Sequence, residues 1–100
     1  HGWRDVVGRV RALVGDGPAY LSIDIDSLDP AYAPGTGTPV VDGLTPYDVI
    51  AFPRDTADLN FVGMDVVEVA PPYDPSGITA LLGASLVMEY ICARAAGRTP

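Results

Sequence analysis

Trp3, Val6, Val7, Val10, Leu13 and Val14 recur at helical intervals, with Arg4, Arg9 and Arg11 among the polar positions between them. Gly15 stops this helix and Gly17-Pro18 turns the chain. From Tyr20 to Asp26 the period becomes two: Leu21, Ile23 and Ile25 face one way, Ser22, Asp24 and Asp26 the other. That pattern predicts a strand ending in acid. Residues 27–43, broken by Pro34, Gly35, Gly37 and Pro39, predict a loop. Thr45-Pro46-Tyr47-Asp48 then reads as a helix start, with Thr45 as cap, Pro46 in the first turn and Asp48 closing a capping box. Pro53 predicts that this helix is short or kinked. Phe61–Val69 is Val-rich and predicts a second strand. Asp74-Pro75 predicts the opening of a last helix that runs to about Ala96 and stops at Gly97, with Gly83 packed closely against a neighbour.

Helix, strand, helix, strand, helix predicts an α/β layer fold with parallel strands. In such sheets ligands collect beyond the carboxyl ends of the strands. Both strands end in carboxylates, Asp24 and Asp26 on the first and Asp65 and Glu68 on the second. Regular alternation puts Asp65 and Glu68 on opposite faces, so one of them is expected past the strand end.

Charge sharpens this picture. The hundred residues carry thirteen acids, six arginines and no lysine, for a net charge of −7. This balance argues against a nucleic-acid partner. It fits a site for cations, and equally a merely soluble surface. The most apolar stretch, Ile78 to Ala93, is interrupted by Thr79, Ser85 and Glu89, which predicts a core helix and no membrane span. No secretory signal pattern is present. One cysteine, Cys92, excludes an internal disulfide framework and predicts a buried, inert thiol in a cytoplasmic setting. The chain opens on His1 and enters a helix at once, which predicts a cut through a longer protein.

Asp24 and Asp26, two apart on a strand, would share a face and repel by up to ~4 kcal/mol at ~4 Å and an effective dielectric of about 20. Water, an arginine or a metal ion must offset that. Taken alone, the pair is equally a solvated strand end. Pro34-Gly35-Thr36-Gly37 superficially resembles a phosphate loop, but its spacing is wrong and no lysine follows. An EF-hand calcium loop fails for want of Gly at the sixth position from Asp24 and Glu at the twelfth.

The longer run Ser22-Ile23-Asp24-Ile25-Asp26-Ser27-Leu28-Asp29-Pro30, continuing through Ala33-Pro34-Gly35-Thr36-Gly37-Thr38-Pro39 to Gly43, resembles the C-terminal signature of the ureohydrolase family, which includes arginase, agmatinase and related amidinohydrolases. The resemblance implies a three-layer α/β/α fold with a parallel sheet, of which residues 1–100 would be the C-terminal part of a single domain. It makes Asp24 and Asp26 ligands of a binuclear Mn²⁺ centre, Asp24 bridging the ions and Asp26 binding one. It makes Glu68, within Met64-Asp65-Val66-Val67-Glu68-Val69-Ala70-Pro71, the acceptor for a substrate guanidinium. Thr38 becomes a substrate-side residue that steadies Glu68, and Asp29 and Asp65 supporting acids around the ligands. A guanidinium carbon is a poor electrophile, and paired divalent ions answer that by making hydroxide available near neutral pH.

Tyr73-Asp74-Pro75 followed by Ile78-Thr79-Ala80 resembles agmatinases more than arginases. That implies hydrolysis of agmatine to putrescine and urea, with a small cationic guanidino substrate and a homotrimer or homohexamer. Guanidinobutyrase, proclavaminate amidinohydrolase and arginase activities are the alternatives. Pro53 and Asp42 depart from the commoner family pattern. The family site also needs an upstream His, an Asp-Ala-His-x-Asp stretch and a catalytic histidine, none of which occurs here, so these residues alone are expected to be inactive. Two rivals stand beside this reading. A haloacid-dehalogenase-type phosphohydrolase would need a lysine that the chain lacks. A non-catalytic binding or assembly module would be indifferent to metal.

Overall fold

The computed structural model describes residues 2–97, so His1 lies outside the description. Helix α1 spans Trp3–Val14 and ends at Gly15, whose N–H donates to the Arg11 carbonyl and whose positive φ of 59° turns the following chain out of the helix. Only Val7 of α1 is buried, and Leu13 is 87% exposed. Strand β1, Ala19–Asp24, runs parallel to β2, Phe61–Val67, in a register that sets Leu21 against Met64 and Asp24 against Val67. Between them, α2 spans Pro46–Asp55 with the expected Thr45 cap. Pro53 is buried inside α2 two residues before its end, so the helix is short as its sequence implies.

Three boundaries differ from the sequence reading, each for a local reason. β1 ends at Asp24, because residues 25–27 turn into a 3-10 segment as the Asp24 carboxylate takes the Asp26 N–H. β2 ends at Val67, opposite Asp24, and Glu68 follows with φ 69°. The last helix opens at Ile78 instead of Pro75: 3-10 turns occupy 71–73 and 75–77, and Ser76 holds a φ of 61° that no helix allows. α3 then spans Ile78–Gly97, the last described residue.

Ile23, Ile25, Leu28, Ala33, Val49 and Leu86 form the core, with Leu21, Met64, Val66 and Leu82 packed around it. Each fully buried branched side chain, such as Ile25 or Leu86, contributes about 1.5–3 kcal/mol. α2 and α3 pack against each other, and α3 lies on β2. Gly83 sits against Val66 and Val69 at distances where a methyl group would make ordinary contact, so close packing is present without excluding Ala. The opposite sheet face, with Tyr20 and Ser22, is exposed, so the described residues supply the sheet and one helical layer of the three expected.

α3 is long and apolar enough by composition to cross a membrane, yet it meets the protein through Thr79, Gly83, Leu86 and Ala93. Cys92 corrects the sequence expectation: it is exposed, because it falls on the side of α3 turned away from the sheet.

Candidate metal centre

The carboxyl ends of the two strands carry the acids. Asp24 is the last residue of β1 and is half-buried. Its Oδ1 accepts the Asp26 N–H at 3.1 Å, and its carbonyl accepts the Ser27 hydroxyl at 2.7 Å. These bonds make the turn that carries Asp26, so the two aspartates meet through a 3-10 turn and not along one strand face. Burial pushes the Asp24 carboxyl up, the Asp26 amide pulls it down, and the carboxylates of Asp26 and Glu68 push it up again. The net direction is upward. Both charges acting on it are negative, and no ion pair among the described residues engages Asp24, Asp26 or Glu68.

Glu68 reaches this corner because it stands just beyond β2 in the left-handed backbone region, a conformation that non-glycine residues seldom hold without cause. Asp65 remains within β2 and binds elsewhere. Its Oδ1 accepts the Ser22 hydroxyl at 2.6 Å and its Oδ2 the Tyr20 hydroxyl at 3.0 Å. The acceptor carboxylate raises the Tyr20 phenol, chiefly through that hydrogen bond. Asp65 therefore braces β2 against the exposed face of β1.

Thr38 corrects the expectation attached to it. Its hydroxyl donates to Asp26 Oδ2 at 2.8 Å, not to Glu68. The loop from Pro34 to Pro39 folds back over the 3-10 turn, so Asp26 is nearer to Thr38 than sequence order suggests. Asp29 serves the loop: Oδ1 accepts the Ala31 N–H at 2.9 Å, and Oδ2 accepts the N–H groups of Asp42 and Gly43 at 2.9 and 3.3 Å. A side chain at Gly43 would come within 2.7 Å of the Asp29 nitrogen, which explains the glycine that closes the motif.

One meeting of residues escaped the sequence reading. Gly35, Asp74 and Thr79 join the 34–39 loop to the start of α3 through the Gly35 N–H and the Thr79 hydroxyl, 2.9 Å apart. Tyr73-Asp74 and Ile78-Thr79 were visible as a motif, but nothing in their order told that they meet Gly35.

Asp24 and Asp26 offer hard oxygen donors without a compensating cation, which suits a divalent ion such as Mn²⁺. Among the described residues, no three His, Cys, Asp or Glu side chains are gathered closely enough to enclose a metal. The two aspartates fit one edge of a carboxylate-rich metal site, and Glu68 stands beside that edge.

Comparison with known proteins agrees with this geometry. Residues 1–93 match the arginase family. The chain is 60% identical over 87 residues to mitochondrial agmatinase of Gallus gallus, covering 87% of this chain and 26% of that protein. Its structure superposes on a hypothetical agmatinase from Burkholderia thailandensis with a TM-score of 0.88 and 49% identity, over 93% of this chain and 30% of that one. The likeness to proclavaminate amidino hydrolase from Streptomyces clavuligerus has a TM-score of 0.92 at 43% identity, covering 97% of this chain and 33% of the other. The chain thus spans a quarter to a third of the length of these relatives, and its α/β fold is theirs over that span. By the match across residues 1–93, the chain belongs to the arginase family.

Proposed function

We propose that this chain supplies the C-terminal portion of a manganese-dependent ureohydrolase site whose substrate is agmatine, cleaved to putrescine and urea. The observation that carries the proposal is the uncompensated corner of Asp24, Asp26 and Glu68 at the carboxyl ends of two parallel strands. Asp24 and Asp26 hold metal. When bound, paired Mn²⁺ ions lower the pKa of water and stabilise negative charge on the reacting group. Glu68 accepts hydrogen bonds from the guanidinium, neutralises it and turns its carbon toward the aspartates. Thr38 keeps the Asp26 carboxylate in one rotamer.

The agmatinase relatives support agmatine over other guanidino compounds. Further ligands, which the ureohydrolase pattern assigns to His and Asp-Ala-His-x-Asp segments, come from polypeptide beyond these hundred residues. A cytoplasmic setting and a homotrimer or homohexamer belong to the same proposal, on family resemblance. The test is urea release with Mn²⁺ over agmatine, arginine and guanidinobutyrate, using the protein that carries this chain. Agmatine should give the highest kcat/KM, and the hundred residues alone should give none above a metal-only blank. Preference for arginine would overturn the substrate assignment.

A further inference from the structure

Gly35 lies where three parts of the chain meet. Its N–H donates to the Thr79 hydroxyl at 2.9 Å, and its carbonyl accepts the Ala70 N–H at 2.7 Å. Ala70 stands two residues after Glu68, and Thr38, which holds Asp26, stands three after Gly35. Thr79 is fully buried. Beside it, the Asp74 carboxylate takes the backbone N–H groups of Thr79 and Ala80 at 2.7 and 2.9 Å. The Gly35 N–H can only donate, so the hydroxyl accepts from it, and Thr79 relays Gly35 to Asp74 through its own backbone N–H. No side chain fits at position 35, where a Cβ would come within 2.6 Å of the Asp74 Cβ and 2.9 Å of the Thr79 Cβ.

We propose that Thr79 and Asp74 are positioning residues, which hold Gly35 so that Glu68 and the Thr38–Asp26 pair keep one fixed separation. In its catalytic consequence this rests on the guanidino-hydrolase reading above. Capping α3 requires only the bonds from Asp74 to the two N–H groups. The hydroxyl bond to Gly35 adds nothing to the helix, and it is what ties the substrate side to the metal side.

Thr79→Val keeps the shape and both backbone caps but removes the relay, whereas Thr79→Ser keeps the hydroxyl. In the manganese-loaded protein carrying this chain, amide hydrogen exchange, Tm, and KM and kcat for agmatine should be measured for both. Thr79→Val should speed exchange at Gly35 and Ala70 about tenfold and raise KM about tenfold, the scale of one lost buried hydrogen bond. Thr79→Ser should return both toward wild type. A Thr79→Val protein with faster exchange nowhere near Gly35, or with lowered Tm and unchanged KM, would overturn the proposal. If the wild type turns over no guanidino compound, the functional reading falls, while the exchange of Gly35 and Ala70 still decides whether Thr79 holds the junction. Should Thr79→Val not fold, Asp74→Asn, which loses one acceptor, must shift exchange at Gly35 in the same direction, and unchanged exchange there sinks the idea.

Discussion

The two ends of the sheet are built on opposite electrostatic terms. At the amino end, arginines saturate the acceptors around them. Arg94 donates to the carbonyls of Leu59 and Ala57, both at 2.7 Å, while lying over the rings of Phe61 and Tyr90. Arg11 binds the Asp55 carbonyl and the Asp58 carboxylate, and Arg54 forks onto Glu89 at 2.8 and 2.6 Å to tie α2 to α3. At the carboxyl end, Asp24 meets only other acids, and the groups bonded around it are neutral amides and hydroxyls. A fold gains nothing by crowding like charges there. The difference teaches that the amino end is organised for cohesion, while the carboxyl end holds acids with no paired base among the described residues, which is the feature the metal proposal uses.

Removing the acid at the centre of that corner should have the largest effect. Asp24→Asn is expected to cut agmatine turnover at least about a thousandfold, since metal-assisted charge stabilisation is worth several kcal/mol. The same variant should melt no lower than wild type without metal, because it relieves repulsion, and should lose the Tm rise that Mn²⁺ gives. Substantial retained turnover would refute the metal-holding role proposed for Asp24. At the same corner, Thr38→Val should weaken Mn²⁺ binding about tenfold by freeing Asp26, the low end of what a ligand's hydrogen-bond partner contributes. Isothermal titration checks this, and a change confined to KM would return Thr38 to the substrate side.

At the other end, Arg94→Met should cost about 3 kcal/mol in urea unfolding, through two charge-assisted bonds and two ring contacts, and leave Mn²⁺ affinity alone. A drop in metal affinity would erase the distinction between the ends.

The smallest effect is on pH. Asp24 has a raised carboxyl, so the unfolded chain ionises first. Metal-free stability should therefore fall as pH climbs from the ordinary carboxylate value, 3.8, to the raised folded one. Glu89, lowered chiefly by its bond to Arg54, behaves oppositely. Asp74 does too: burial raises it, and the donors at Ala80 and Thr79 outweigh that to lower it. Their stabilisation is present above the unfolded values and lost as pH falls through the depressed ones. Thermal melts of wild type and Asp24→Asn across that range separate the two, and only the wild type should show the declining limb.

Much of this was legible in the order of residues. The alternation from Leu21 to Ile25 and the helical spacing of α1 and α3 named the elements, since backbone geometry makes burial periodic. The Ser22-to-Gly43 run pointed to the family, and the match across residues 1–93 agrees. One of Asp65 and Glu68 was expected past the strand end, and it is Glu68, which follows β2 with a positive φ.

What sequence could not decide was partnership at a distance. Thr38 and Asp26 are twelve residues apart, Gly35 and Thr79 forty-four, and each hydroxyl had several candidate partners until the loop folded back. The exposure of Cys92 was likewise settled by which side of α3 the rest of the chain covered. Periodicity reports which face a residue shares with its sequence neighbours. Which polar group it meets depends on the close approach of remote backbone, and only the packed structure brings those pieces together.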